Sequence, residues 1–390
     1  MRRFFTPFFL TLSAIVVLGY AYLAWRLAGG TVGRLLLAVP CLLVWLVPMA
    51  YWAGGRESTR RADELLHAAS YFSMGWLNFL LLFALLRDGL LGLAWLAGAE
   101  KARELLATTG TPLVFAASLA ALAVGALAAL RGPAVQRVSI PVAGLDAALE
   151  GFKIVQISDL HVGPTIGRRY VSRVVERANA LAPDLTVLTG DIVDGAPQRL
   201  APHVAPLGGL RARHGSVFIL GNHDCYSGAR RWIAQFRGLG MRVLLNEALV
   251  LEHGGARLIV GGVVDPALRL SEPDQQPRAD LAAAPQAGAG LRILLAHNPA
   301  LAELGERAGF DVQLSGHTHA GQFFPWTLAV RAVHAPHVAG LSRQGKMWVY
   351  VCPGTGSWGP PVRFGTRTEL TLLELRRSDG AAAPTAGRAQ

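Results

Sequence analysis

Apolar residues are concentrated in the first third of the chain. The long apolar runs there each approach the ~20 residues that span a bilayer, and they lack the polar face that a helix of a soluble domain needs. Tryptophan and tyrosine residues lie near several of their ends, as at a membrane–water interface. The pattern predicts a multi-span transmembrane region of about four helices within residues 1–131. The runs are residues 8–25, 35–52, 71–86 and 112–130.

Basic residues give this region its expected orientation. Arg2 and Arg3 precede the first run, and no small-residue cleavage site follows it, so we expect a retained anchor rather than a signal peptide. Further basic residues between the second and third runs favour a cytoplasmic N terminus. With an even number of spans, the rest of the chain would lie on the cytoplasmic side of a bacterial inner or cell membrane. These further residues are Arg56, Arg60 and Arg61.

One charged pair interrupts the third run. Arg87 and Asp88 precede a further apolar piece, residues 89–98. A charge at the centre of a bilayer costs about 3 kcal/mol or more. We therefore expect the pair near an interface and the following piece along the membrane surface. If that piece crosses the membrane instead, the second half of the chain changes sides.

Beyond Gly132-Pro133, which ends the last apolar run, short apolar runs alternate with amphipathic ones. The amphipathic runs predict helices over residues 168–181, 229–239 and 299–308. Such alternation predicts an α/β domain over residues 132–377, followed by a disordered tail, residues 378–390. Strands are predicted over residues 135–142, 152–157, 185–189, 217–220, 249–251, 258–260, 293–296, 312–315, 347–351 and 370–375.

Five short polar clusters each follow a predicted strand, so we expect them on loops at strand ends, where α/β folds place their sites. Their carboxylate, amide and imidazole groups are ligands of divalent metals. Two such ions about 3.5 to 4 Å apart can neutralise phosphoryl oxygens and activate water for phosphate-ester hydrolysis. The clusters are Asp159-Leu160-His161, Gly190-Asp191-Ile192-Val193-Asp194, Gly221-Asn222-His223-Asp224, His297 and Gly316-His317-Thr318-His319.

Any one cluster has an ordinary explanation as a turn or an exposed polar group. All five together, each after an apolar strand, are specific. The order Asp-x-His, Gly-Asp-x-x-Asp, Gly-Asn-His-Asp, His, Gly-His-x-His resembles the calcineurin-like metallophosphoesterase superfamily over residues 138–375. Gly321-Gln322 and the segment Gly359-Pro360-Pro361-Val362-Arg363 further resemble a bacterial transmembrane metallophosphoesterase subgroup.

The resemblance implies a four-layer αββα sandwich that follows the transmembrane helices and holds two divalent metal ions (Mn, Fe, Zn or similar). Asp191 would bridge the two ions. His223 would stabilise charge at the scissile phosphate or protonate the leaving oxygen, with Asp224 orienting it. Asp194 matches a position behind the ligands. One ion is assigned to Asp159, His161 and His319, and the other to Asn222, His297 and His317.

Composition narrows the partners. The net charge of +11 suits anionic substrates or an anionic lipid surface, and no basic stripe with interleaved aromatic residues indicates nucleic acid. The three widely spaced cysteines, Cys41, Cys225 and Cys352, predict neither a disulfide framework nor a zinc site. We interpret Cys225 as a small apolar residue rather than a nucleophile, although the subgroup often has an aromatic residue there.

The segment Phe323-Phe324-Pro325-Trp326 is more apolar than a solvated loop requires. Two interpretations stay open for it: packing into the core, or an aromatic wedge that dips into lipid.

The sequence therefore predicts a membrane-anchored phosphohydrolase that cleaves a phosphodiester or pyrophosphate, with membrane lipids and a lipid-linked phosphate as partners and no obligatory protein partner. The resemblance suggests one candidate, the pyrophosphate of UDP-2,3-diacylglucosamine. Arg168, Arg169 and Arg363 are candidate phosphate-binding side chains. A phosphodiesterase acting on soluble nucleotides is an alternative. A catalytically silent metal-binding membrane sensor is another, against which the complete ligand set and His223 argue.

Overall fold

The structure, a computed structural model, describes residues 7–52, 61–284 and 287–378. Arg2, Arg3, Arg56, Arg60 and the predicted tail from residue 379 onward lie outside the described residues. The chain forms two compact units. The first contains the residues up to Ala128 together with the short segment Gly359–Phe364, and the second contains the remainder from Ala129.

The described part of the first unit is built mainly from long helices. They are α1 (Pro7–Leu27), α2 (Thr31–Trp52), α3 (Arg61–Leu96) and α4 (Glu100–Leu130). Both α3 and α4 are long and apolar enough to cross a membrane, while α1 and α2 contain shorter apolar segments, Ser13–Leu27 and Thr31–Val47. Leu93 and Leu113 are among many large apolar side chains that point outward from α3 and α4, as lipid-facing residues do.

Helix α3 corrects one expectation from the sequence. It continues without a break through Arg87 and Asp88 to Leu96, so the piece after the charged pair is not a separate segment on the membrane surface. The charges are instead neutralised within the helical unit. Arg26 of α1 and Arg87 both donate hydrogen bonds to the Asp88 carboxylate, and Arg87 also donates to Thr111 of α4. Pairing of this kind is the usual condition for burying charged groups.

The segment Gly359–Phe364 packs within this helical unit. The backbone N–H of Arg363 donates to the carbonyl of Gly125 in α4 at 2.9 Å. A Cβ atom on Gly125 would lie 2.6 Å from Cγ1 of Val362, so only glycine fits there without displacement. The ring of Phe364 meets Phe79 of α3 edge-on, with centroids 5.3 Å apart. The sequence had predicted this segment to be part of the phosphoesterase domain.

The second unit contains two sheets of six strands each within its described residues. The first sheet has the order β1-β12-β2-β3-β4-β5, and the second has the order β10-β11-β9-β8-β7-β6. The strands are β1 (Ala134–Ala143), β2 (Lys153–Ile157), β3 (Leu185–Leu188), β4 (Ser216–Phe218), β5 (Arg242–Val243), β6 (Glu247–His253), β7 (Ala256–Gly262), β8 (Leu291–Leu295), β9 (Val312–Ser315), β10 (Gly340–Gln344), β11 (Met347–Val351) and β12 (Glu369–Ser378).

Helices cover both outer faces of the paired sheets. A core of apolar side chains such as Ile154, Val187 and Ile293 fills the space between the sheets. On the first sheet, a second core receives Val171 and Trp232 from helices. On the second sheet, a third core receives alanines from short helices. The predicted α/β fold of four layers is therefore confirmed. The helices are α5 (Arg168–Ala180), α6 (Pro197–Val204), α7 (Asn222–Tyr226), α8 (Ala229–Gly238), α9 (Ala279–Ala282), α10 (Ala302–Arg307) and α11 (Trp326–His334).

Candidate metal centre

The polar clusters meet because of strand direction. Strands β2, β3 and β4 run parallel in one sheet, and β8 and β9 run parallel in the other. The carboxyl ends of parallel strands lie at the same edge of a sheet. Each cluster follows one of these strands directly, so the loops after the five strands bring the clusters together.

The first group of candidate ligands joins two distant clusters. Asp159, His161 and His319 each offer a ligand atom, and these atoms lie within 4.8 Å of one another. Nε2 of His161 lies 3.0 Å from Nε2 of His319, and the latter lies 3.4 Å from Oδ1 of Asp159. All three side chains are buried. One cation placed among them would satisfy three lone pairs at once.

The second group lies around His297. Ligand atoms of Asp191, His297 and His317 also lie within 4.8 Å of one another. Asn222 is close as well, since its Oδ1 lies 3.0 Å from Nδ1 of His317. Asp191 faces both groups, because its Oδ2 lies 3.2 Å from Nε2 of His297 and 3.8 Å from Nε2 of His161. This is the position that a bridging carboxylate requires.

Nδ1 of His297 is engaged in a hydrogen bond, so a metal ion would bind at Nε2. In the metal-free protein, burial lowers the pKa of His297, but the negative charge of Asp191 outweighs that effect and raises the pKa well above its usual value. Its Nδ1 lies 2.8 Å from the carbonyl oxygen of Thr189, which can only accept, so Nδ1 carries the proton. Its Nε2 is buried and has no hydrogen bond of acceptable geometry. An orphaned imidazole nitrogen that faces a carboxylate is a place where a divalent cation fits. Burial, together with the positive charge on His297, lowers the pKa of His317 to about 3, which keeps that ring neutral as ligation requires.

The backbone at the candidate ligands is strained. The φ angles are 51° at Asp159, 50° at His161, 54° at Asp191, 74° at His317 and 51° at His319. Residues other than glycine rarely adopt this left-handed region, which costs about 1 to 3 kcal/mol each. Strain of this kind, repeated at five members of one constellation, indicates that the side-chain directions are under functional constraint.

Glycines let the carboxylates approach the neighbouring loops. A Cβ on Gly316 would lie 2.1 Å from Oδ2 of Asp159, and one on Gly221 would lie 2.2 Å from Oδ1 of Asp191. No other residue fits at such distances. The Gly-Asn-His-Asp and Gly-His-x-His patterns therefore have a steric explanation in addition to their chemistry.

His223 is held by the carboxylate of Asp194, which also contacts the candidate ligand His161. Nδ1 of His223 lies 2.8 Å from Oδ1 of Asp194. Burial lowers the pKa of His223, but the negative charges of Asp194 and Asp191 outweigh that effect and raise the pKa to about 9. The ring is therefore cationic near neutral pH in the metal-free protein. In return, and against the effect of burial, the cationic forms of His161 and His223 hold the pKa of Asp194 well below its usual range.

Asp224 binds backbone N–H groups, whereas the resemblance implied that it orients His223. Its carboxylate accepts backbone N–H bonds from Gly221, Asp191, Ile192 and Val193, at 2.8 to 3.1 Å. It therefore ties the loop after β3 to the start of α7. The orientation of His223, which the resemblance assigned to Asp224, comes from Asp194 in the structure.

The candidate phosphate-binding arginines differ in burial. Arg168 is exposed at the start of α5, where its guanidinium donates to the carbonyl of Pro202. Arg169 is also exposed. Arg363 is buried and belongs to the helical unit. Their role in binding phosphate stays a prediction.

Three aromatic or imidazole side chains at this site were not foreseen. Tyr226 and Trp358 both pack edge-on to His223, with ring centroids 5.6 and 5.8 Å away. The ring of His334 on α11 meets the ring of His317, with centroids 5.8 Å apart. Tyr226 could have been found from its i, i+3 spacing to His223 on one helix. No local pattern connects Trp358 with His223.

Buried Asp and His groups that face one another at strand ends, with a cationic histidine beside them, define a metal-dependent phosphoesterase site. The chain belongs to the calcineurin-like phosphoesterase family, whose model matches residues 152–321.

Known relatives are consistent with this assignment. A transmembrane protein with a metallophosphoesterase domain from Bos taurus is 36% identical over 315 residues, which is 73% of this chain and 67% of the relative. A similarly named protein of Danio rerio is 36% identical over 65% of this chain and 60% of its own length. An uncharacterised metallophosphoesterase of Helicobacter pylori is 35% identical over 59% of this chain and 61% of its own. The chain thus spans about three fifths to two thirds of these relatives.

Among solved structures, a Haemophilus influenzae NAD nucleotidase aligns with a TM-score of 0.38 and 15% identity, over 53% of this chain and 46% of its own. The transmembrane names of the relatives and the two long apolar helices together indicate membrane association.

Proposed function

We propose that the protein is a membrane-anchored phosphohydrolase that uses two divalent metal ions to cleave a phosphodiester or pyrophosphate bond of a lipid-linked substrate. One observation carries the proposal. Asp191 approaches candidate ligands of both groups, His161 in one and His297 in the other, and His223 lies next to them with a raised pKa. A centre of this kind is suited to hydrolysis of phosphate esters.

The residues divide between the two cations as the resemblance implies. Asp159, His161 and His319 would hold one cation, and the other would be held by Asn222, His297 and His317, with Asp191 contacting both. When bound, the metals neutralise phosphoryl oxygens and lower the pKa of water. Manganese, iron, zinc and similar ions all suit such mixed oxygen and nitrogen ligands.

His223 supplies the proton chemistry. A cationic imidazole beside the metal ligands can donate a hydrogen bond to a phosphoryl oxygen and a proton to the leaving oxygen. Asp194 fixes the ring through Nδ1, which leaves Nε2 directed away from the carboxylate. The catalytic assignment therefore rests on His223, with Asp194 as its positioning residue.

A lipid-linked substrate is favoured by the surface next to the site. Helix α11, which bears His334 against His317, exposes Leu328 and Val333 to 58% and 76%. The sequence contains no acidic residue from 312 to 368, so this region attracts rather than repels anionic headgroups. Apolar side chains with basic neighbours are typical of helices that lie at a membrane interface. A UDP-2,3-diacylglucosamine-type pyrophosphate is one substrate of this class, suggested by family analogy alone.

In the segment Phe323-Phe324-Pro325-Trp326, core packing is observed for one aromatic residue, and we propose contact with lipid for the other two. Phe323 is buried, whereas Phe324 and Trp326 are exposed. A tether to the bilayer raises the effective concentration of lipid-linked phosphates at such a surface. We place the site on the cytoplasmic side of a bacterial inner membrane, following the distribution of basic residues in the sequence.

Hydrolysis of bis(p-nitrophenyl) phosphate by the full chain in detergent, with Mn²⁺ added, tests the enzyme. We expect turnover that is lost with a chelator and in Asp191→Ala and His223→Ala variants of unchanged fold. Metal analysis should show less bound metal in Asp191→Ala and unchanged metal in His223→Ala. A wild-type protein that binds two ions and hydrolyses no phosphodiester would instead be a metal-binding sensor.

A separate experiment tests whether the enzyme prefers lipid substrates. Leu328→Ser combined with Val333→Ser should slow hydrolysis of a phosphodiester lipid in vesicles and leave bis(p-nitrophenyl) phosphate turnover unchanged. Leu270→Ser is the matched control, since Leu270 is 74% exposed and lies outside α11, at the end of a short 3₁₀ helix. Equal rates for the double variant and the control on vesicles, or faster turnover of cyclic nucleotides than of lipids, would favour a soluble-nucleotide phosphodiesterase.

A further inference from the structure

His223 lies beside two half-exposed aromatic rings. Tyr226 is 48% exposed and Trp358 is 47% exposed, although both contact the same largely buried imidazole. Each ring therefore uses one edge or face for packing and presents the rest outward. Apolar surface left open at a polar reaction centre is unfavourable unless something covers it in the working enzyme.

Trp358 is fixed in place by a buried amide. The backbone N–H of Trp358 donates to Oε1 of Gln322 at 2.8 Å, and Nε2 of Gln322 donates to the Trp358 carbonyl at 2.9 Å. Gln322 is itself buried and follows the candidate ligand His319 by three residues. These two hydrogen bonds therefore fix the position of the Trp358 indole relative to the loop that carries the candidate ligands.

Tyr226 is fixed by a different element. It lies on the single short helix α7, which begins with the candidate ligand Asn222 and includes His223. Its hydroxyl interacts with the Asn222 side chain. Both aromatic rings are thus attached to candidate metal-binding elements, and neither depends on a flexible loop tip for its position.

We propose that Trp358 and Tyr226 form a subsite beside His223 that binds a planar ring, such as a nucleobase, carried by one substituent of the scissile phosphate. The inference rests on the proposed function, because it names a part of the substrate of that same site. Aromatic side chains bind bases through their faces and tolerate differences in base identity. A pyrophosphate that joins a nucleoside to a lipid would occupy both this subsite and the apolar surface of α11.

Packing against His223 is the competing explanation for both rings. If the aromatic side chains only support the imidazole, their removal should impair every substrate to the same extent. If the aromatic side chains bind a ring of the substrate, their removal should slow the hydrolysis only of substrates that carry a planar ring. The comparison therefore needs substrates that share one leaving group and differ in the substituent that remains on the phosphate.

Phenyl, cyclohexyl and thymidine 5′ esters of p-nitrophenyl phosphate meet this requirement, because each releases p-nitrophenolate. In the full-length protein with Mn²⁺, Trp358→Ala should lower kcat/KM for the phenyl and thymidine esters by about 5- to 150-fold, the range expected for loss of one aromatic stack. The cyclohexyl ester should be nearly unaffected. Trp358→Phe should restore most of the loss, and Leu281→Ala, which truncates a side chain that is 53% exposed on α9, should change none of the three rates.

Two results would overturn the subsite. The first is an equal fall for the phenyl and cyclohexyl esters in Trp358→Ala, which would assign the tryptophan to holding His223. The second is no change for any ester. Failure of the proposed function would look different, since the wild-type protein would then release p-nitrophenolate from none of them.

Discussion

One carboxylate oxygen of Asp194 lies 2.8 Å from Nδ1 of His223. The same oxygen lies 2.9 Å from Nδ1 of His161. A single acceptor thus orients a candidate metal ligand and the candidate catalytic imidazole, and it contacts both rings at Nδ1 rather than at Nε2. Carboxylates behind metal-binding histidines set both the tautomer and the basicity of the ring.

Asp194→Asn should therefore impair catalysis in a folded protein. The amide keeps the shape of the side chain and loses the negative charge that faces two imidazoles. We expect kcat for bis(p-nitrophenyl) phosphate, or the metal affinity, to fall by about 10- to 100-fold. Steady-state kinetics over a Mn²⁺ titration measure both. Asp274→Asn, at an exposed position, is the control, and an unchanged kcat and metal affinity in Asp194→Asn would contradict the assignment.

The raised pKa of His223 predicts how stability depends on pH in the metal-free protein. Folding raises this pKa from 6.5 to about 9, so the protonated ring stabilises the fold fully below about pH 6.5. That contribution is lost as the pH rises through about 9. The difference in Tm between wild type and His223→Gln, measured with a chelator present, should decrease from pH 6 to pH 9.5.

Subtracting the variant cancels the titration of groups that both proteins share, such as Asp224, whose pKa burial raises to about 7 with the charge of Asp191 adding to the effect. Adding Mn²⁺ should shift the loss to lower pH, because cations disfavour an imidazolium nearby. A Tm difference that is independent of pH would show that His223 is not protonated preferentially by folding.

The convergence of the candidate ligands could be predicted from the sequence because it depends on local rules. Apolar runs predicted the strands, and β2, β3, β4, β8 and β9 are found within a few residues of the predicted bounds. Parallel strands then bring their carboxyl ends together whatever the details of the loops. The role of Asp224 was missed for the opposite reason, since hydrogen bonds to backbone N–H groups of another loop depend on the exact loop path.

Asp224→Ala should consequently act on stability. Four buried backbone N–H groups would lose their acceptor, at about 1 to 3 kcal/mol for an unsatisfied buried group. We expect denaturant unfolding to show a loss of several kcal/mol, about as large as for a broken buried network. Asp265→Ala is a matched control, because Asp265 is also buried and its carboxylate accepts from the backbone of Ala267 at a helix start. That cap should be worth only about 1 kcal/mol.

One outcome would support the assignment of Asp224 to the orientation of His223. If Asp224→Ala unfolded like wild type and lost activity, Asp224 would act on His223 as the family resemblance implies.

Trp358 and the unbroken helix α3 are two features that could not be predicted from the sequence. The tryptophan lies 135 residues beyond His223, as their numbers show, so only the folded chain joins them. Arg87 and Asp88 lie within a continuous helix, where they pair with each other, Arg26 of α1 pairs with Asp88, and Thr111 of α4 accepts a hydrogen bond from Arg87.

The close packing of Val362 on Gly125 gives a prediction for the helical unit. Gly125→Ala would place a Cβ 2.6 Å from Cγ1 of Val362, and such overpacking costs about 1 to 3 kcal/mol. Alanine otherwise favours a helix over glycine by about 1 kcal/mol. Gly92→Ala, where a Cβ meets nothing within 4 Å, should therefore raise the Tm of the full chain in detergent or leave it unchanged, while Gly125→Ala should lower it.

Adding Val362→Ala to Gly125→Ala removes the clashing methyl groups and should recover most of the lost Tm. If Gly125→Ala raised the Tm as Gly92→Ala does, the segment Gly359–Phe364 would not pack on α4 in the protein.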